Sequence, residues 1–269
     1  MAPNGVTFTR ILIGFLTLSL FPSARRPVAR ADWAGTAALG VLWLAFPLSM
    51  FPFAEQHVSS ALAGMLNGAV PLFATVVAAV LARRWPSRGV GLGVAIGMAG
   101  AVLMALPALG GSNSAVSVAL IAVALVSYGI ALNIARPLQQ RNGAAPVMWR
   151  ALGVALILTA PLGAPALLNA HWTWTAALSM AGLGAGGTAI AHVLTATAAG
   201  RLGATKASAT AFLMPVVALV LGVTLRGEQV TMVSVAGAAI CLLGAAILRD
   251  PAMIAAWLPR RLVGVGTRV

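Results

Sequence analysis

The sequence predicts an all-α polytopic membrane protein made of inverted five-helix repeats, with nine helices visible. Three observations carry this. The first is composition: of 269 residues, 60% are hydrophobic and only 8% charged. A soluble domain built that way would have too little polar surface to show water. The second is the length of the apolar runs, which reach the roughly 20 residues a spanning helix needs. They show neither the short alternation nor the turn spacing of an outer-membrane barrel. The third is internal repetition. At an offset of 144 residues, Ala63 falls on Ala207, Pro71 on Pro215, Ala74 on Ala218, Val76 on Val220 and Leu81 on Leu225. Gly93, Ala95, Ile96 and Gly100 likewise fall on Gly237, Ala239, Ile240 and Gly244, with no gap from about 54 to 106. An odd number of crossings separates the copies, so one points up where the other points down. Inverted repeats of this kind are the usual architecture of secondary transporters.

The elements follow in order. A helix at about 4–21 carries Arg10 and ends near Pro22; the run Ile11–Phe21 is not a signal-peptide core, because the second half repeats it. The helix at 34–53 presents Trp43, Phe46, Met50 and Phe53 at 3, 4 and 3 spacing, one helical face. The helix at 58–82 holds Asn67 and Pro71 and stops before Arg83. The helix at 89–107 carries Gly93, Gly97 and Gly100, small residues that let helices pack closely. The helix at 115–137 holds Tyr128 and Asn133, five apart and so not on one narrow stripe.

The second copy continues with 146–168, where Trp149 and Arg150 stand near the start, and 175–199, where His192 is flanked by Thr188, Thr195 and Thr197. Helices at 204–225, with Pro215, and 230–248, with Cys241, complete it. Arg10 aligns with Arg150, Trp33 with Trp172, and Thr36-Ala37-Ala38-Leu39 with Thr175-Ala176-Ala177-Leu178, at offsets of 140 and 139. The helix at 115–137 has no partner before residue 4. Repeat and helix parity together lead to the expectation of a native 5 + 5 protein, with this chain truncated or its start assigned downstream.

The net charge of +13 is a matter of orientation rather than of nucleic acid. Alternate loops hold Arg25, Arg26 and Arg30, then Arg83, Arg84 and Arg88, then Arg136 and Arg141, then Arg201 and Lys206, and finally Arg249, Arg260, Arg261 and Arg268. The opposite loops hold only Arg226. The positive-inside rule then places the basic loops and the C-terminus in the cytoplasm of a bacterial cell, with the chain in its inner (plasma) membrane. Cys241 is the sole cysteine, so no intrachain disulfide forms.

The stretch Ala198-Ala199-Gly200-Arg201-Leu202-Gly203-Ala204-Thr205-Lys206-Ala207-Ser208, with Met214-Pro215, Gly227-Glu228, Gly237 and Gly244, resembles the second EamA domain of the drug/metabolite transporter superfamily. Val58 to Ala63 through Asn67 and Pro71 resembles the first. Within the family the chain is most similar to the YddG-type exporters of aromatic amino acids. The sequence departs from the family pattern where Arg83-Arg84 replaces a Gly-Glu pair and where Met214 replaces a polar residue. On this resemblance residues 1–112 form a first EamA repeat lacking its first helix, 113–250 a second, and 251–269 a cytoplasmic tail. The resemblance implies ten helices in the family and export of aromatic or neutral amino acids.

Polar groups deep in a membrane are costly and mark pathways. His192, Asn67 and Tyr128 are therefore expected substrate contacts, with Trp43, Phe46, Met50 and Trp149 as an apolar, π-rich wall. Pro71 and Pro215 are expected kinks that could serve as symmetric gates. Arg10 and Arg150, in the first turns of their helices, are read as snorkelling to headgroups. Trp85, Trp172, Trp174 and Trp257 read as interfacial belt residues. The glycine-bearing last helix of each repeat is assigned to scaffold or dimer contacts.

The only acids, Asp32, Glu55, Glu228 and Asp250, lie near helix ends. That leaves His192 as the only titratable group expected at the midplane and favours a passive facilitator over proton coupling. No HExxH, CxxC, P-loop or GxSxG site stands out, so no enzyme, catalytic residue, metal or cofactor is expected. The expected partners are a small-molecule substrate and the lipid bilayer, with a homodimer as an option and no nucleic acid. The reading is a carrier working by alternating access. The alternatives are a drug or other metabolite efflux carrier and, from another class, a non-transporting membrane assembly or receptor subunit.

Overall fold

The computed structural model describes residues 1–83, 87–170, 172–202 and 214–249. Among them lie nine helices: α1 (Pro3–Ser19), α2 (Arg30–Ala54), α3 (Ser60–Ala82), α4 (Arg88–Leu109), α5 (Ser112–Asn142), α6 (Ala144–Leu168), α7 (Trp174–Leu202), α8 (Met214–Arg226) and α9 (Met232–Arg249). Six of these are long and apolar enough to cross a membrane. The protein is an all-α multi-pass membrane protein. Arg84, Trp85, Gly203 to Ser208, Asp250, Trp257 and the 251–269 tail lie outside the described residues, as does the segment before Met214.

Helix starts follow local chemistry. Pro3 occupies the first turn of α1, where its missing N–H costs nothing. The Ser59 hydroxyl accepts the Leu62 N–H at 3.2 Å to cap α3, and Thr173 caps α7 by accepting from Ala176 at 3.2 Å. Arg83, in the left-handed region at φ 49°, closes α3.

Three pairs of equivalent helices in the two repeats pack against each other antiparallel. Along α4 the contacts rise through Gly93, Gly97, Gly100 and Met104, while their partners on α9 fall through Gly244, Cys241 and Gly237. Any Cβ at Gly100 or Gly244 would land on the facing backbone, so the pair closes only because both sides are glycine. Helices α3 and α8 pair in the same sense: Ala61 meets Gly222, Gly64 meets Ala218 and Gly68 meets Pro215. So do α1 and α6, where Gly5 meets Ala166, Phe8 meets Gly163 and Phe15 meets Gly153. These pairings are what an inverted repeat requires. They also absorb the glycine faces of α4 and α9 within one chain.

The connections sort to two ends of the bundle. At the basic end Arg141 pairs with Asp32 at 2.7 Å, Asn142 donates to the Asp32 carboxylate at 2.7 Å, and Gln140 donates to the Gly200 carbonyl at 3.0 Å. At the opposite end Glu228 holds the start of α3, and Ser114 donates to the His57 carbonyl at 3.1 Å.

Two helices change pitch midway. Residues Gly40–Ala45 of α2 and Gly182–Ile190 of α7 are π-helical. Helix α3 is interrupted at Gly68 and Ala69 and restarts at Val70, with Pro71 in the first turn of its second half. The break lies where Pro215 of α8 docks on Gly68.

Candidate functional site

A cavity of about 320 Å³ lies between the two repeats, within the size range of small-molecule sites. Its lining comes from α1, α2, α3, α5, α7 and α8. It runs from residues near the helix midpoints, such as Tyr128 and His192, to Glu55 and Ser60 at the end opposite the basic one.

One wall is aromatic. Trp43 of α2 tilts at 54° against His192 of α7, with ring centroids 5.7 Å apart. Phe51 and Tyr128 stack at 6.2 Å. Leu48, Val70 and Leu132 complete the apolar surface.

The π-helical segments set this wall. An α-helix returns to the same face after three or four residues. Within α2 the residues that reach the cavity are Trp43, Leu48 and Phe51, followed by Glu55 just past its end, and the step of five from Trp43 to Leu48 spans the wide turn. The expected face through Trp43, Phe46 and Met50 is therefore split. Trp43 faces the cavity, and Phe46 and Met50 do not line it. Trp149 is also displaced from the expected wall: it stacks on Phe15 at 5.4 Å and donates from Nε1 to Ser19 at 2.8 Å. Its helix starts at the basic end, which leaves the indole short of the central cavity.

Polar groups enter singly. Asn67 donates from Nδ2 to the Met214 sulfur at 3.1 Å, linking the two repeats, while its Oδ1 is buried without a partner among the described residues. His192 Nδ1 is also buried and unpartnered among them. Asn133 is structural instead, donating to the Ala74 and Gly129 carbonyls at 3.1 and 2.9 Å. Pro71 is buried and follows the lining residue Val70 in sequence, and Pro215 packs on Gly68 beside Asn67.

The sequence reading placed Arg10 at the headgroups, and the structure corrects it. Arg10 lies eight residues into α1 and lines the cavity, donating from Nε to the Thr188 hydroxyl at 3.0 Å. Thr188 is fully buried and donates its hydroxyl hydrogen bond to the Leu183 carbonyl at 2.9 Å, five residues back across the π turn. The repeat partner Arg150, seven residues into α6 on the basic side, does not line the cavity; its guanidinium lies over the Trp33 and Trp149 rings at 5.8 and 5.3 Å. A charged residue about two turns into an otherwise uncharged helix was the available signal.

Two acids mark the end opposite the basic one. Glu228 accepts from the Ser60 hydroxyl at 2.5 Å and the Ala61 N–H at 2.8 Å, and pairs with Arg226 at 3.2 Å. Burial alone would raise its carboxyl pKa, but these bonds and Arg226 outweigh that and hold it below the usual carboxylate range. Glu55, at the cavity edge, is shifted the other way. Partial loss of surrounding water pushes it up against the pull of Arg10 and Arg226.

A bundle of antiparallel repeats around a shared central cavity defines a membrane transporter. The chain belongs to the EamA-like transporter family, whose pattern matches residues 1–106 and 115–249. It is a small-molecule transporter and not an enzyme. It is 26% identical over 249 residues to a protein of Streptantibioticus cattleyicolor named "Probable terminal-alkyne amino-acid exporter"; the match covers 91% of this chain and 83% of that protein. A crystal structure described only as that of a "protein" superimposes with a TM-score of 0.65 at 20% identity, over 92% of this chain and 88% of the other, and shows the shared fold.

Proposed function

We propose that the protein exports neutral amino acids with large apolar side chains, aromatic ones foremost, by alternating access across a bacterial inner membrane with its basic end in the cytoplasm. The observation that carries this is the aromatic wall of Trp43, Phe51 and Tyr128 facing single polar groups, Asn67 and His192, inside a cavity sized for a small solute. The relative named as a terminal-alkyne amino-acid exporter supports the coarser part of this reading, export of amino acids. Efflux of cationic drugs fits less well, because the deepest fixed charge in the cavity is the Arg10 cation, which repels them.

In this reading Asn67 and His192 orient the solute, and Pro71 and Pro215 lie at the crossing where α3 and α8 would part. With no carboxylate among the lining residues near the helix midpoints, transport down a gradient is the simplest scheme. Purified protein in liposomes, preloaded and assayed by counterflow with labelled amino acids and with cationic drugs, tests the proposal. Saturable exchange of aromatic and large neutral amino acids is expected. Exchange of drugs alone would replace this reading with drug efflux, and exchange of nothing would favour a non-transporting assembly.

A further inference from the structure

We propose that Arg10 anchors the carboxylate of the transported solute and that the cavity takes a zwitterion, carboxylate inward at Arg10 and ammonium outward toward Glu55. The proposal rests on the amino-acid reading above and adds the groups that would select for it.

Arg10 is an unusual charge. It sits at the middle of α1 and lines the cavity, away from the ends of the bundle, where an ion without a partner of opposite charge is among the costliest groups a protein can hold. Buried arginines are normally met by a carboxylate. No carboxylate among the described residues lies within 4.0 Å of Arg10; the ion pairs found there are Arg141 with Asp32 and Arg226 with Glu228. Of the five N–H donors of a guanidinium, only Nε–H is used among those residues, by Thr188. The fork of two terminal amino groups is left for a ligand, and it matches the two oxygens of a carboxylate. Thr188 is itself held by the Leu183 carbonyl, so the guanidinium is braced from the protein side.

The second charge completes the arrangement. Glu55 lines the same cavity but is not in ion-pair contact with Arg10. A cation inside and an anion at the edge, too far apart to neutralise each other directly, leave a gap that a molecule bearing both opposite charges can bridge. A lone cation would meet Arg10, and a lone carboxylate would meet Glu55. The π turn that places Thr188 against Arg10 has its counterpart in the π turn that carries Trp43. Charge recognition and side-chain recognition thus come from the same irregularity in the two halves.

The test uses the full chain in proteoliposomes. It compares the best-carried amino acid, its carboxamide, and the matching carboxylic acid without the amine. The wild type is expected to exchange the amino acid at least tenfold faster than either analogue. Arg10→Gln is expected to lose at least tenfold on the amino acid and to bring the acid-to-amide ratio near one, with Arg10→Lys restoring part of the preference. Glu55→Gln is expected to narrow the advantage over the acid lacking the amine. A folded Arg10→Gln protein with wild-type exchange and an unchanged acid-to-amide ratio would overturn the anchor. If that variant does not fold, the wild-type ratio decides: equal exchange of acid and amide overturns the proposal. A wild type that carries its amides but no free amino acid removes the functional reading and the anchor together, whereas equal transport of both removes the anchor alone.

Discussion

Glu228 illustrates how one side chain can hold two repeats together. It reaches from the loop between α8 and α9 to the first turn of α3, where the N–H groups of Ser60 and Ala61 have no helical acceptor. An anion there is favoured by the helix dipole as well as by the bonds. Because its carboxyl pKa is lowered in the folded protein, the stability it adds is present above the unfolded carboxylate pKa and disappears as pH falls through the lowered folded value. Glu228→Gln should therefore lower the melting temperature in detergent at pH 7, by the equivalent of about 1 kcal/mol for a lost cap. The gap to wild type should close in acid, and a gap independent of pH would argue against the assignment. Glu228 stood out in the sequence as a scarce acid beside a glycine. Its partner Ser60, 168 residues away, was not legible, because the bond depends on two loops meeting at one end of the bundle. Arg10 was misread for a similar reason: its hydroxyl partner Thr188 lies on a helix 178 residues along the chain.

At the level of single elements, the two π-helical segments account for most of the difference between expected and observed cavity residues. Helix positions were legible because apolar runs are a local property. A wide turn is not, since it changes neither composition nor length noticeably. One trace was present in the repeat offset, which moves from 139 at Trp33 to 144 at Ala63. The two π segments, six residues in α2 and nine in α7, lie in the stretch over which that offset changes. The register change predicts a contrast. Trp43→Ala should cut amino-acid exchange at least tenfold, and Met50→Ala should leave it within twofold; comparable losses in both would restore the simple α-helical face. Helices α4 and α9 make a different prediction, because they contribute nothing to the cavity lining. Gly244→Leu forces a side chain into the Gly93 and Gly97 backbone and should cost about 1–3 kcal/mol or more, measured as a lower melting temperature. An unchanged melting temperature would mean that the close packing of α4 on α9 is wrong.

For the whole molecule, the organising fact is that each repeat packs its own inverted copy. The antiparallel sense of the repeat was readable from parity and offset alone, since an odd number of crossings reverses direction whatever the packing. The pairing was less readable. The glycines of α4 and α9 predicted close contact, yet only the folded chain shows that they meet each other. The cavity draws on both copies, with α1, α2 and α3 of the first and α5, α7 and α8 of the second around one centre.

A carrier must expose that centre to each side in turn, and cysteine accessibility measures this most directly. In a Cys241→Ala background, a single cysteine at Thr195, a cavity residue, is treated with a membrane-impermeant thiol reagent in right-side-out and in inverted vesicles. Labelling from both sides, slowed by the solute the protein carries, is the predicted result. Labelling from one side only, unaffected by any solute, would contradict the account.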